Sequence, residues 1–181
     1  MRIETQRLLL EEVSILDLED IHALHSYREV DEFNTLGLPK NIGETKEILR
    51  PIIEAQNEYP QKSFTWKILT KASREFIGLA GLNLSRSKFR SAEIYYKFSP
   101  LFWGKGFATE VSRELIKSGF EDFRLHRIEA GAATENVKSL RVLEKSRMTR
   151  EGHKRKVLPI RGKWIDNYEY AIVEDDYWEN D

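Results

Sequence analysis

The strongest constraint on the fold is a change of connection length midway along the chain. Phe64, Trp66 and Ile68 alternate with Thr65 and Lys67, as in a half-exposed strand. Residues 76–84, which include Gly78 and Gly81, and residues 91–98 read as two further strands, separated by polar turns at 70–75 and 85–90. Those turns are too short for a crossover helix, so the strands form an antiparallel meander. After Pro100 the spacing changes. Gly104 and Gly106 introduce a helix with Phe107, Val111, Leu115 and Phe123 on its apolar side, while Ala108, Ser112 and Gly119 let neighbours approach closely. A short strand at 127–132 follows. Strand, helix and strand at this spacing imply a parallel, right-handed crossover. The two connection types together predict an α/β (α+β) chain with a mixed central sheet and flanking helices.

Elsewhere, Leu8, Leu9, Leu10, Glu11, Glu12 and Val13 suggest a first strand. Ser14, with Asp17 three positions later, makes a capping-box-like start for a helix carrying Leu18, Ile21, His22, Leu24 and His25. A looser segment at 34–40 contains Gly37 and Pro39. Asn41 with Glu44 caps a second helix through Ile48, Ile52 and Ala55, which Pro51 is expected to bend or interrupt. The spacing also predicts a helix over 136–145 and strands near 148–157 and 168–173. No repeat or composition shift marks a boundary, so residues 1–181 read as a single domain. A chain of 181 residues buries roughly 70% of its extended surface and needs no staple.

Composition removes several functions. The formal charge of −1 argues against direct nucleic-acid binding. No apolar run approaches the ~20 residues that cross a bilayer, so no membrane role is expected. The chain has no cysteine, which excludes disulfides, thiolate nucleophiles and Cys-based metal sites. Met1, Arg2, Ile3, Glu4 and Thr5 lead directly into a strand-like pattern without an apolar targeting segment, and a cytoplasmic home is expected. The four histidines, His22, His25, His126 and His153, lack the H-E-x-x-H arrangement and read as ordinary helix or surface residues; no metal is expected.

The most informative segment is 99–110, between a strand and a long helix. Gly104 and Gly106 permit a tight turn and leave backbone N–H groups uncovered. The first turn of the following helix adds orphan donors and a positive dipole end. Together they make a cradle for a phosphate or pyrophosphate, or simply a glycine joint. Lys105 adds a flexible charge or faces water. The segment is neither a dinucleotide fingerprint, since Thr109 stands where the third glycine would be, nor a P-loop.

These residues resemble the GNAT superfamily of acyl-CoA-dependent N-acetyltransferases, and within it the RimJ/RimL-like branch that acetylates N-terminal alanines of ribosomal proteins. The resemblance runs from Glu4, Thr5, Gln6, Arg7 and Leu8 through Ala92 to Tyr96, Trp103 to Glu110, His126 to Ala130 and Asn136 to Lys145. The family's acyl-CoA motif, Gln or Arg, two residues, Gly, one residue, then Gly or Ala, falls on Trp103, Gly106 and Ala108, with Trp departing at the first position. The resemblance implies acetyl-CoA as cosubstrate. Backbone N–H groups of Trp103, Gly104, Lys105, Gly106, Phe107 and Ala108 would hold its pyrophosphate, with Thr109 in the same turn. Asn136 would contact the pantetheine arm, with Ser139 nearby. Arg141 would approach the adenosine phosphate or stay solvated. The strand at Tyr95 and Tyr96 would pair with the pantetheine amides where the fourth and fifth strands of the fold splay apart.

The chemistry implied is direct attack of a primary amine, a ribosomal N-terminus or a small molecule, in a ternary complex. A backbone N–H near Tyr95 or Tyr96 would stabilise the oxyanion. Glu93 and Glu129 are the candidate proton acceptors, or else solvated strand residues. Alternation puts Glu93, Tyr95 and Lys97 on one face and Ile94, Tyr96 and Phe98 on the other. Many relatives protonate the departing thiolate with a tyrosine where this chain has Leu143, leaving Tyr95 and Tyr96 as stand-ins or pocket wall. His22 and His25 would border the acceptor channel. The basic run from His153 to Lys156 is a solvated strand end or a contact for an acidic partner. A homodimer is compatible with the sequence, which marks no interface. A non-enzymatic CoA-sensing module and an unrelated α/β metabolic protein are the alternatives.

Overall fold

The computed structural model describes residues 1–179. The strands are β1 (Ile3–Glu4), β2 (Leu8–Glu12), β3 (Ser63–Thr70), β4 (Phe76–Leu84), β5 (Ser91–Phe98), β6 (Arg127–Ala133), β7 (Thr149–Ile160) and β8 (Lys163–Val173). They form one sheet in the order β1-β2-β3-β4-β5-β6-β8-β7. β2 to β5 are the antiparallel meander, and β5 and β6 are parallel. The helices are α1 (Leu18–His25), α2 (Arg28–Asp31), α3 (Ile42–Gln56), α4 (Phe107–Glu121), α5 (Val137–Lys145) and α6 (Glu174–Trp178). The connection through α4 makes the β5–β6 crossover.

Local signals set most element starts. The Ser14 backbone N–H donates to the Asp17 carboxylate at 2.8 Å, while Ser14 Oγ accepts from Leu16 N–H at 3.3 Å. Asn41 Oδ1 accepts from Glu44 N–H at 3.1 Å and starts α3. Such caps contribute about 1 kcal/mol each. Packing covers both sheet faces. Ile21, Leu24, Val30 and Leu49 from α1 to α3 pack with Leu79 on one side. Val111, Leu115 and Phe120 of α4 pack with Leu82, Ile94, Phe98 and Ile128 on the other. Gly119 lets α4 sit close, since a Cβ there would lie 2.5 Å from Ile128 Cδ1.

Double coverage corrects one expectation. β3 is not half-exposed: Phe64, Thr65, Trp66, Ile68 and Leu69 are all buried. Pro51 does not interrupt α3; it lies on the exposed side, where solvent reaches the carbonyl left without an N–H partner. The short helix α2 was not expected. Phe123 lies beyond the end of α4, yet its ring packs edge-on against Phe64 at 4.9 Å. The final strands are longer than the pattern predicts. They form a hairpin whose turn, Arg161 and Gly162, has φ of 49° and 72°. Both residues are left-handed, as a two-residue hairpin turn requires, but Arg-Gly lacks the Asn-Gly or Asp-Gly signature.

Candidate functional site

β5 and β6 pair only from Ser91 to Glu93 against Arg127 to Glu129, although β5 continues to Phe98 and β6 to Ala133. The open length is a slot in the sheet. Its polar edge follows from the ladder on the other side of β5. Ser91 O accepts from Ser85 N–H at 2.9 Å, and Ser99 N–H donates to Ile77 O at 2.9 Å. Odd-numbered residues of β5 therefore direct their backbone groups to β4, and even-numbered ones to the slot. The slot-facing groups are the Ile94 carbonyl and the Tyr96 amide; those of Tyr95 face β4. Phe98 O, farther down the same edge, accepts from Trp103 Nε1 at 2.9 Å. Trp103 thus closes one end of the slot, with Lys138 Nζ 4.3 Å from its ring centroid.

A cavity of about 1500 Å³ reaches from the α1–α3 face to the α4–α5 face at this slot. On the α4–α5 side it is lined by Trp103, Gly104, Gly106, Phe107, Ala108 and Thr109, and by Asn136, Ser139 and Arg141. Gly104 and Gly106 have φ of 75° and 81°. No atom lies within 4 Å of a Cβ built on Gly104, and α4 starts at Gly106 without a side-chain cap. Open space, uncapped N–H groups and a positive helix end suit a diphosphate. Asn136 Oδ1 is committed to Ser139 N–H at 3.2 Å, capping α5, and Arg141 stands exposed at the rim. Lys105 does not line the cavity; its amine sits 4.8 Å from the Phe102 ring centroid, and its carbonyl accepts from Arg7 at 3.1 Å.

The opening of the chain holds this loop from behind. The Arg7 backbone N–H and Nε donate to the two Glu110 carboxylate oxygens at 2.8 and 2.7 Å, and Thr5 Oγ1 donates to it at 2.6 Å. Burial alone would raise the Glu110 carboxyl; the Thr5 and Arg7 donors outweigh it and hold the group below the usual range. Two segments of the sequence, residues 4–10 and 103–110, are one clamp in space.

On the α1–α3 side, Tyr95 lays its ring over Gly81 on β4, where a Cβ would lie 2.2 Å from Cε1, and its hydroxyl meets Thr65 Oγ1 at 2.6 Å. Gly81→Ala is therefore expected to displace that ring, at a cost of about 1–3 kcal/mol for overpacking. Chemical denaturation would read the loss, and unchanged stability would show that the ring is free to move. Tyr96 points the other way, to Ser139 Oγ at 3.0 Å. Burial pushes its hydroxyl up to about 12, with Ser139 opposing, so it stays protonated.

A model of the acetyltransferase (GNAT) domain matches residues 7–149. The chain belongs to the GNAT acetyltransferase family. YoaA of Bacillus subtilis, an uncharacterized N-acetyltransferase, is 31% identical over 172 residues, 95% of this chain and 96% of its own. A GNAT-family acetyltransferase structure from Bacillus anthracis has a TM-score of 0.83 and 29% identity, covering 97% of this chain and 99% of that one. Spermidine N-acetyltransferase from Vibrio cholerae, solved with CoA and spermine, has a TM-score of 0.81 at 24% identity over 94% and 98% of the two chains, a likeness of fold. This GNAT protein is an N-acetyltransferase that takes acetyl-CoA as cosubstrate and amines as acceptors.

Within this GNAT site the two carboxylates singled out in the sequence are not cavity-lining groups. Glu93 lies where the β5–β6 ladder is still closed, two residues before Tyr95 on the same face. Desolvation raises its carboxyl, Glu129 and Glu169 add like charge, and Lys154 opposes them. Glu129 is exposed and accepts from Arg127 Nε at 2.7 Å. Leu143 is buried in the core. Lys97 and His25 do line the cavity, and the alternation of β5 already placed Lys97 beside Tyr95. Asn34 lines it too, from a loop that only tertiary folding brings to β5, so it was not legible in the sequence. Among the described residues, no group of three or more His, Asp or Glu is placed to hold a metal, and no helix is long and apolar enough to cross a membrane.

Proposed function

We propose that this enzyme acetylates a small primary amine by direct attack on acetyl-CoA in a ternary complex, with the two substrates entering the cleft from opposite faces. The observation that supports this most is the unpaired edge of β5, open to both faces and flanked on one by the uncapped start of α4. Backbone N–H groups of Gly104, Gly106, Phe107 and Ala108 hold the pyrophosphate, the Trp103 N–H being committed to Pro100 O at 3.2 Å, and Asn136 and Ser139 border the arm. Acetyl-CoA supplies an activated acetyl group. The amine nitrogen forms a bond to the thioester carbon and the carbon–sulfur bond breaks. The ammonium loses one proton before attack and the nitrogen a second on transfer; the departing thiolate takes one up. The Tyr96 N–H faces the carbonyl oxygen as its charge grows. The Tyr96 hydroxyl remains protonated and donates toward the thiolate, in the role that Leu143 cannot fill. Glu93 takes a proton from the amine through solvent at the end of the slot.

The decisive assay is CoA release, corrected for hydrolysis, across small-amine and peptide acceptors. Acceptor-dependent N-acetylation supports the enzyme reading; acetyl-CoA binding without it across the panel points to a CoA-sensing module. Glu93→Gln should lower the single-turnover rate by about 10–100-fold while acetyl-CoA affinity holds. An unchanged rate across pH would return the proton to solvent or to Glu129.

Acetylation of a ribosomal protein N-terminus, the job of the RimJ/RimL-like branch, is the second reading. The residues that carry that resemblance form the Thr5–Arg7–Glu110 clamp behind the cofactor loop, so they bear on acetyl-CoA and leave the acceptor open. All groups named lie in one chain acting as one catalytic domain, so neither reading requires a homodimer. A cytoplasmic enzyme is the natural setting for acetyl-CoA and a chain without cysteine.

A further inference from the structure

Among the described residues, four buried side-chain polar atoms have no hydrogen-bond partner, and three of them, His25 Nδ1, Asp31 Oδ1 and Asn34 Nδ2, come from one stretch between α1 and the loop after α2. His25 is only 4% exposed. His25 and Asn34 line the cavity on the α1–α3 side together with Lys97, whose ammonium makes no hydrogen bond or ion pair among the described residues. Unsatisfied buried polar atoms are costly, and the two on cavity-lining residues, His25 Nδ1 and Asn34 Nδ2, mark where a ligand completes them.

The charges facing that corner decide the ligand. Burial lowers Lys97 to about 8, with Asp31 opposing, so it is mostly protonated at neutral pH. Asp31, outside the cavity lining, is engaged through one oxygen: Oδ2 accepts from Arg161 Nε at 3.0 Å across from the β7–β8 turn, while Oδ1 has no partner and its charge acts on Lys97. His25 is held neutral, lowered to about 4 by burial and then by Lys97 and His22. Glu29 and Glu32 also line the cavity, but on exposed positions at its mouth. The interior thus offers a cation, an amide donor and a neutral imidazole; the rim offers carboxylates. Lys97 follows Tyr96 on β5, on the acceptor face, so a group held there lies a side-chain length from the slot-facing amide.

From this juxtaposition we infer that the acceptor is a zwitterion: a primary amine with a carboxylate a few bonds away, as in a free amino acid. The carboxylate takes hydrogen bonds from Lys97 Nζ, Asn34 Nδ2 and the His25 ring, and the amine is left pointing at the slot. The rim glutamates draw the ammonium in. A polyamine would bring a second ammonium against Lys97, and a peptide N-terminus offers only a neutral carbonyl. The inference rests on the acetyl-transfer reading of the same cleft and narrows its acceptor.

The test uses the full chain with CoA bound and measures equilibrium binding of amino acids, their carboxamides and spermidine, in parallel with acetyl transfer from acetyl-CoA to the same panel. At least one free acid should be favoured over its carboxamide by about tenfold, in line with a charge-assisted contact. Lys97→Met should raise KM for that acid by about tenfold, and Lys97→Arg should restore part of the preference. Acetyl-CoA affinity, read separately, reports whether the variants are folded. Carboxamides or spermidine bound as well as every acid would overturn the inference, as would an acid preference that survives Lys97→Met. Transfer without acid preference sinks the zwitterion and leaves the transferase; acid-selective binding without transfer does the reverse.

Discussion

Gly106→Val is expected to weaken acetyl-CoA binding by about 100-fold or more, equivalent to ~2.7 kcal/mol. Gly106 caps α4 at φ 81°, a conformation in which a β-branched residue is a strained outlier. A Cβ there would also face the Arg7 guanidinium, 3.5 Å from Nη2. Relief of the strain rotates the first N–H groups of α4 away from the diphosphate and loads the Arg7–Glu110 clamp. Titration calorimetry reads the loss, and a melting curve shows whether the fold survives. Gly104→Asn separates strain from occupancy: its φ of 75° suits Asn and no protein atom lies within 4 Å of the added Cβ, so the fold should hold while the side chain intrudes on the diphosphate space and weakens binding. Unchanged affinity in Gly106→Val would remove the loop from the cofactor site.

Acid should destabilise the protein through His25 by a comparable amount. An unfolded imidazole takes a proton near pH 6.5, whereas burial, Lys97 and His22 hold His25 to about 4. Between those values the unfolded state carries the extra proton, so stability falls as pH falls. Below about 4 both states are charged and the difference levels off. The window is worth on the order of 3 kcal/mol. His25→Phe removes this contribution, so the stability difference between wild type and variant, from urea unfolding at several pH values, should grow in the variant's favour from about pH 6.5 down to about pH 4. A constant difference across that range would mean that His25 titrates normally in the folded protein.

These two predictions draw on different parts of what could be read beforehand. Gly106 was legible because a glycine pair between strand and helix has a local meaning. The corner around His25, Asn34 and Lys97 was not, because its chemistry depends on lost partners and on helices folding over a strand distant in sequence. The pairing of residues 4–10 with 103–110 was visible only as two adjacent pieces of a resemblance; the Arg7 and Thr5 bonds to Glu110 explain why both are present. The carboxylates chosen from the sequence show what local pattern leaves out. Glu93 and Glu129 lie on the strands beside the slot, but the ladder is still closed at their level, so Glu93 can reach the amine only through solvent.

By itself the sequence determined the meander, the crossover, the caps at Ser14 and Asn41 and the glycine joint, since turn lengths, alternation and φ requirements act over a few residues; the cofactor followed from the resemblance those residues carry. Tertiary structure alone decided where β5 and β6 part, which of Tyr95 and Tyr96 turns its amide to the slot, and which polar atoms are buried without partners. Those outcomes depend on ladder phase and on burial. Both are summed over contacts between segments far apart in the chain, and no local pattern encodes them.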